Sequence, residues 1–145
     1  MDSYGAVTVE LIFATLIILI VAGGVVAIAS ERTDAAKEAE FGTARMLAEN
    51  VAEAINKVYA GGSGHMTNIT LPCSIGNRTN YHITVNSSGV YIRIDGKIGK
   101  AYIASKKISS DEPPTNINVT MLPGNTYTIC NVYYNYYNWI IITQS

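Results

Sequence analysis

Hydrophobic and polar positions divide the chain into three stretches of different texture. Residues 11–29, LIFATLIILIVAGGVVAIA, carry no charge and are apolar on every side rather than along one stripe. Nineteen residues in a helix rising about 1.5 Å each cover roughly 29 Å, close to a bilayer core. A cleavable secretory signal has a basic n-region and a shorter apolar core, whereas Met1-Asp2-Ser3-Tyr4-Gly5 has no basic side chain. The run therefore predicts a retained spanning helix, with removal as a secretory signal the competing outcome. Gly23 and Gly24, with Ala22, Ala27 and Ala29, form a small-residue patch. Such a patch either lets another helix approach closely or weakens the helix locally.

After Ser30 the texture changes to strong helix formers without proline, ERTDAAKEAEFGTARMLAENVAEAINKVYAGG. Helix is predicted to continue to about Tyr59, which gives one helix half apolar and half amphipathic. Phe41, Ala44, Leu47, Val51, Ile55 and Val58 recur at steps of three or four, a stripe that needs a cover. Gly61-Gly62-Ser63-Gly64 then ends the helix.

Beyond Gly64 the alternation shortens to the period of a strand. Asp95-Gly96 between VYIRI and KIGKAYI predicts a two-residue type I′ hairpin joining 90–94 to 97–103. Residues 81–85 precede it across the turn Asn86-Ser87-Ser88-Gly89, and 116–122, 127–134 and 138–143 read as later strands. Pro113-Pro114 and Pro123-Gly124-Asn125 act as breakers. The expected fold is α+β: a long N-terminal helix, hydrophobic then amphipathic, packed on a small head of four to six antiparallel strands whose core the stripe closes.

Charge sharpens this division. Residues 1–30 hold only Asp2 and Glu10, residues 31–60 hold four basic and six acidic groups, and residues 61–145 hold six basic and three acidic. An apolar first fifth excludes an ordinary cytosolic globule, and a formal net charge of −1 gives no reason to expect nucleic acid. Glu10 borders the apolar run, where an ionised carboxylate needs water, the interface or a positive partner from another subunit. No Ser/His/Asp or Cys/His ordering, phosphate loop or acid/base carboxylate pair stands out, so neither an enzyme nor a cofactor is expected.

Two cysteines, Cys73 and Cys130, are too few for a disulfide-dense miniprotein. Outside the cell they are expected to pair, closing a loop of about 58 residues worth roughly 4 kcal/mol in the chain-entropy model. Free buried thiols and a metal site are the alternatives, and no CxxC spacing or His/Cys cluster supports a metal. Four N-glycosylation sequons begin at Asn68, Asn77, Asn86 and Asn118, and none precedes residue 61, which points to a glycosylated outer surface for the head. Arg32, Lys37 and Arg45 follow the span while no basic residue precedes it, and by the positive-inside tendency that would place the stalk in the cytoplasm. The short N-terminal flank gives that rule little to count. The C-terminal run YTICNVYYNYYNWIIITQS reads as core and cross-strand aromatic pairs; an exposed adhesive or sugar-binding strip is the sharper alternative, since doubled tyrosines must point to both faces of a strand.

The string Gly5-Ala6-Val7-Thr8-Val9-Glu10 followed by LIFATLIILIVAGGVVAIA resembles a type IV prepilin, most closely the archaeal, methanogen-type group with a class III signal peptide. In that family a membrane peptidase cuts after the glycine and leaves glutamate at the fifth mature position. The resemblance implies processing between Gly5 and Ala6, with residues 1–5 as leader, 6–30 as a hydrophobic helix, 31–64 as amphipathic helix and Gly-rich linker, and 65–145 as a β-rich extracellular head. It also implies a pilin-like fold and assembly through Glu10, Leu11, Phe13 and Leu16, with the new amino group of Ala6 as partner to Glu10. Where the archaeal pattern usually has Gln and Ser at the first and third mature positions, this chain has Ala6 and Thr8.

What the resemblance implies for function is a structural subunit of an extracellular type IV pilus-like filament, serving adhesion on an archaeal cell surface and inserted in the membrane before assembly. Its partners would be copies of itself, the prepilin peptidase, the assembly machinery and a surface or glycan ligand. The alternative is an uncleaved single-span cell-surface glycoprotein or accessory binding module.

Overall fold

The computed structural model describes residues 3–111 and 115–145, with side chains except those of residues 3–10, 28–31 and 33. One helix, α1, runs Ser3–Gly61, and the chain divides into two compact units, Met1–Ala39 and Glu40–Ser145. The division falls inside α1, nine residues beyond the expected end of the hydrophobic segment at 30, so the second part of the amphipathic stretch belongs to the head unit. In the first unit Lys37 Nζ lies 3.8 Å from Asp34 Oδ1, a solvated pair of small energetic weight.

Among the described residues of the second unit eight strands follow α1: β1 Met66–Thr70, β2 Tyr81–Asn86, β3 Gly89–Ile94, β4 Lys97–Ala101, β5 Ile108–Ser109, β6 Val119–Met121, β7 Thr126–Tyr134 and β8 Tyr137–Gln144. They form two four-stranded sheets, ordered β1-β7-β8-β5 and β4-β3-β2-β6. The α+β class and the helix-on-sheet packing agree with the sequence reading. The strand count exceeds the four to six expected, and the head is not wholly antiparallel, because β5 pairs parallel with β8. Two strands escaped the sequence reading, β1 and β5. The first is an edge strand with only alternate residues half-buried, and the second is two residues long.

Burial follows the two periodicities. On α1, Ala44, Ala48, Val51, Ala52, Ile55 and Val58 are buried, with Phe41 and Leu47 packed at the margin. The stripe is thus the expected one, widened by two alanines whose short side chains let the sheets come near. On β2 and β3 the inward residues meet as opposite pairs, Tyr81 with Ile94, Ile83 with Ile92 and Val85 with Val90. From β7 and β8 the same core receives Tyr127, Ile129, Ile140 and Ile142. Gly99 of β4 faces α1 at close range: a Cβ there would lie 2.9 Å from Ile92 Cγ2 and 3.7 Å from the Arg45 Cα.

Polar anchors fix the helix to the head. Asn56 on α1 donates from Nδ2 to the Tyr102 carbonyl at 3.3 Å and accepts the Ala104 N–H on Oδ1 at 2.8 Å, which pins the segment after β4. Glu40 accepts from Arg78 Nε at 3.3 Å, and Arg78 Nη2 reaches Asp95 Oδ2 at 3.0 Å. The helix stops because Gly62 takes φ +83°, a conformation that costs glycine little and other residues more. The predicted hairpin is present: Asp95 and Gly96 have φ 48° and 77°, as a type I′ turn requires.

Candidate functional site

Residues 11–27 of α1 present their side chains outward, exposed among the described residues. Leu11 is 62%, Phe13 63% and Leu16 51% exposed, and Ile12, Ile17, Ile18, Leu19, Ile20, Val21, Val25 and Val26 are comparably open. The one hydroxyl in this stretch turns inward, for Thr15 Oγ1 lies 3.0 Å from the Leu11 carbonyl oxygen and 2.9 Å from that of Ile12. Such back-bonding satisfies a hydroxyl without water. Gly23 and Gly24 have no described atom within 4 Å of where a Cβ would stand, so no contact among the described residues calls for glycine there. Among the described residues no helix is long and apolar enough to cross a membrane. The expected processing positions Gly5 and Ala6 lie in the first turn of α1, and their side chains, like that of Glu10, lie outside those described.

Leaving such a surface in water is expensive. Eleven large apolar side chains lie between Leu11 and Val26, and burying each is worth about 1.5–3 kcal/mol, on the order of 15–30 kcal/mol together. Contiguous apolar surfaces of this kind mark sites that lipid or other proteins cover.

The thiols require a correction. Cys73 is exposed in the segment after β1, Cys130 is half-buried in β7, and both are free. Their separation follows from the register. Cys130 stands opposite Met66, and the β1–β7 pairing continues past Thr70 through the Leu71 N–H to the Asn125 carbonyl and the Gly124 N–H to the Pro72 carbonyl. Cys73 is thereby carried seven positions along the ladder from Met66, about 20 Å away at roughly 3.3 Å per residue. A disulfide needs its Cα atoms within about 7 Å. The expected pairing fails on strand register, which loop length and compartment do not reveal.

The sequon asparagines are spread over the head. Asn68, Asn77 and Asn118 are exposed and Asn86 is half-buried. Asn68 Oδ1 accepts from Thr128 Oγ1 at 2.9 Å, the Asn77 N–H points to Glu40 Oε1 at 3.4 Å, and Asn86 Oδ1 accepts the Ser88 N–H at 2.8 Å in the β2–β3 turn.

The C-terminal aromatics divide between the two readings. Tyr127 and Trp139 are buried, and the Tyr127 hydroxyl accepts the Leu122 N–H at 2.7 Å. Tyr133, Tyr134, Tyr136 and Tyr137 are exposed, Tyr136 at 90%. They crown the β7–β8 hairpin, whose two-residue turn holds Asn135 at φ 47° and Tyr136 at φ 68°. Asparagine enters that region readily; a tyrosine there is strained by about 1 kcal/mol or more. Lys107 lies 5.1 Å from the Tyr137 ring centre and 5.3 Å from that of Trp139, two cation–π contacts that the sequence could not pair because they join distant segments. Among the described residues no three His, Cys, Asp or Glu side chains gather as a metal site.

Set against known proteins, the chain matches no family model, no curated protein and no solved structure.

Proposed function

We propose that this chain is the structural subunit, a pilin, of an extracellular type IV pilus-like filament of an archaeal cell surface. The observation that carries the reading is the uncovered apolar side chains of residues 11–27, joined to a head with its own closed core. A surface apolar on every side of a helix suits either lipid or a bundle of identical helices, and the two environments succeed one another in a pilin. Before assembly the segment sits in the membrane; after assembly it is the filament core.

Several residues take roles in this reading. The peptidase cuts between Gly5 and Ala6, and the freed amino group of Ala6 meets the carboxylate of Glu10 in a neighbouring subunit, which removes the cost of an unpaired charge in an apolar bundle. Leu11, Phe13 and Leu16 pack between subunits, with Gly23 and Gly24 allowing close approach. Subunits added head-to-tail make an open, heterologous interface that does not close on itself. The filament serves adhesion, its heads facing outward with the sequons at Asn68, Asn77, Asn86 and Asn118 and the tyrosine-crowned hairpin on their surface.

The same exposed run favours one other reading, an uncleaved single-span surface glycoprotein or binding module whose helix stays in lipid. N-terminal sequencing and intact mass of the native protein from a sheared cell-surface fraction separate the two. The filament reading expects a start at Ala6, with added mass where sequons are occupied. An intact N-terminus in protein recovered only from membranes overturns it.

A further inference from the structure

The outer face of the β4-β3-β2-β6 sheet is polar where its inner face is core. Alternation along the strands places His82, Thr84 and Asn86 of β2 on that face. Register sets His82 opposite Arg93, Thr84 opposite Tyr91, Arg93 opposite Ile98 and Tyr91 opposite Lys100. Directly opposite side chains in such a sheet have Cβ atoms about 4.5–5.5 Å apart. The six residues His82, Thr84, Asn86, Tyr91, Arg93 and Ile98 line a concavity of about 320 Å³. Lys100 stands at its margin, its ammonium 5.2 Å from the centre of the Tyr91 ring.

The charges of this hollow are of one sign. No lining residue is acidic, and Arg93 makes no ion pair among the described residues. The nearest carboxylate in sequence, Asp95, is held at 3.0 Å by Arg78. A guanidinium, an imidazole and a hydroxyl therefore converge beside one aromatic ring, with no described carboxylate to use the cation.

Each group suits a different part of one ligand. A guanidinium matches a carboxylate with two parallel hydrogen bonds, a tyrosine face receives the C–H face of a sugar ring, and the imidazole and hydroxyl meet ring hydroxyls. The volume is at the small end of small-molecule sites, about 300–1,000 Å³, which suits a short saccharide. A single-stranded nucleic acid needs several stacking rings along a basic groove, and this hollow offers one ring.

We propose that the concave outer face of β2, β3 and β4 binds a carboxylate-bearing saccharide, with Arg93 taking the carboxylate, Tyr91 the sugar face, and His82 and Thr84 the hydroxyls. The site rests on the adhesive part of the filament reading for its biological use only, because an unassembled chain carries it whole. Binding to the unassembled chain is therefore the measurement, and failed assembly cannot be mistaken for a failed site.

The full-length chain, made without N-glycans and held in detergent micelles, is titrated with trigalacturonate, neutral maltotriose and a short oligothymidylate. Trigalacturonate is expected to bind saturably and maltotriose at least about tenfold more weakly, with Arg93→Gln and Tyr91→Ala each weakening trigalacturonate by about fivefold or more. Lys106→Gln, an exposed cation outside the hollow, is expected to leave binding unchanged, and Trp139 fluorescence checks that every variant is folded. The proposal is overturned by no saturable binding up to about 10 mM, by binding indifferent to both Arg93→Gln and Tyr91→Ala, or by oligothymidylate binding more tightly than the sugar.

Discussion

Asn131 of β7 caps the end of α1: its Nδ2 donates to the carbonyls of Val58 at 3.3 Å and Tyr59 at 3.2 Å. The last carbonyls of a helix have no partner inside it, and here they are buried against a sheet, where leaving them unpaired is costly. The Asn131 backbone ties the same corner, accepting from the Gly64 N–H at 2.8 Å and donating to the His65 carbonyl at 2.9 Å. One residue thus joins helix, linker and sheet. Asn131→Ala is expected to lower head stability by about 2 kcal/mol, and Asn131→Asp by more, since a carboxylate faces carbonyl oxygens. Urea unfolding followed by the fluorescence of Trp139, the single tryptophan, measures both.

Tyr81 gives the head an alkaline limit. Its hydroxyl donates to the Pro72 carbonyl, which also accepts the Gly124 N–H at 3.2 Å. Burial first, then the neighbouring Cys73 and Tyr127, pushes the phenol up to about 12, against about 10 in an unfolded chain. Folding therefore favours the protonated phenol. That stability is complete below pH 10 and is lost as pH rises through about 12, a contribution of about 2–3 kcal/mol. Tyr81→Phe is expected to cost about 1 kcal/mol at neutral pH and to flatten stability between pH 10 and 12. Urea midpoints collected across that range decide it; an unchanged alkaline slope in the variant refutes the assignment.

Free thiols make a chemical prediction. Unfolded under non-reducing conditions, the chain is expected to show two reactive thiols, with Cys73 labelled quickly in the folded state and Cys130 slowly, as their burial dictates. Cys73→Ser should change stability by less than about 0.5 kcal/mol, as expected for an exposed site. A pair closing this loop would instead cost roughly 4 kcal/mol on removal. Thiol counting by mass after alkylation separates the two outcomes.

These anchors also show where sequence stops being readable. The stripe from Phe41 to Val58 and the Asp95-Gly96 turn were legible because each is a local pattern with one physical meaning, a helix period or a pair of positive φ values. Asn131 was not, because a polar residue in a strand looks solvent-facing until the helix end that it meets is known. The Cys73–Cys130 separation and the Lys107 contacts with Tyr137 and Trp139 depend on register between strands far apart in the chain. Alternation alone could have placed His82, Thr84 and Asn86 on one face, but only the pairing of β2 with β3 and β4 brings Arg93, Tyr91 and Ile98 beside them.

The filament reading makes its sharpest prediction at Phe13, exposed at 63% in the uncovered run. In a bundle of identical helices a phenylalanine repeated at every subunit contributes about 2–3 kcal/mol of burial each time, and the loss on Phe13→Ser recurs along the whole polymer. Filaments in sheared surface fractions are therefore expected to become scarce or absent by negative-stain microscopy. The head, whose core excludes this residue, should keep its unfolding midpoint. In a lipid-anchored monomer the same change removes one apolar side chain of many, and the protein remains in the membrane fraction in normal amount. A variant that still forms filaments at normal density removes Phe13 from the assembly contact, and chains that never form filaments even when unaltered leave the anchored reading.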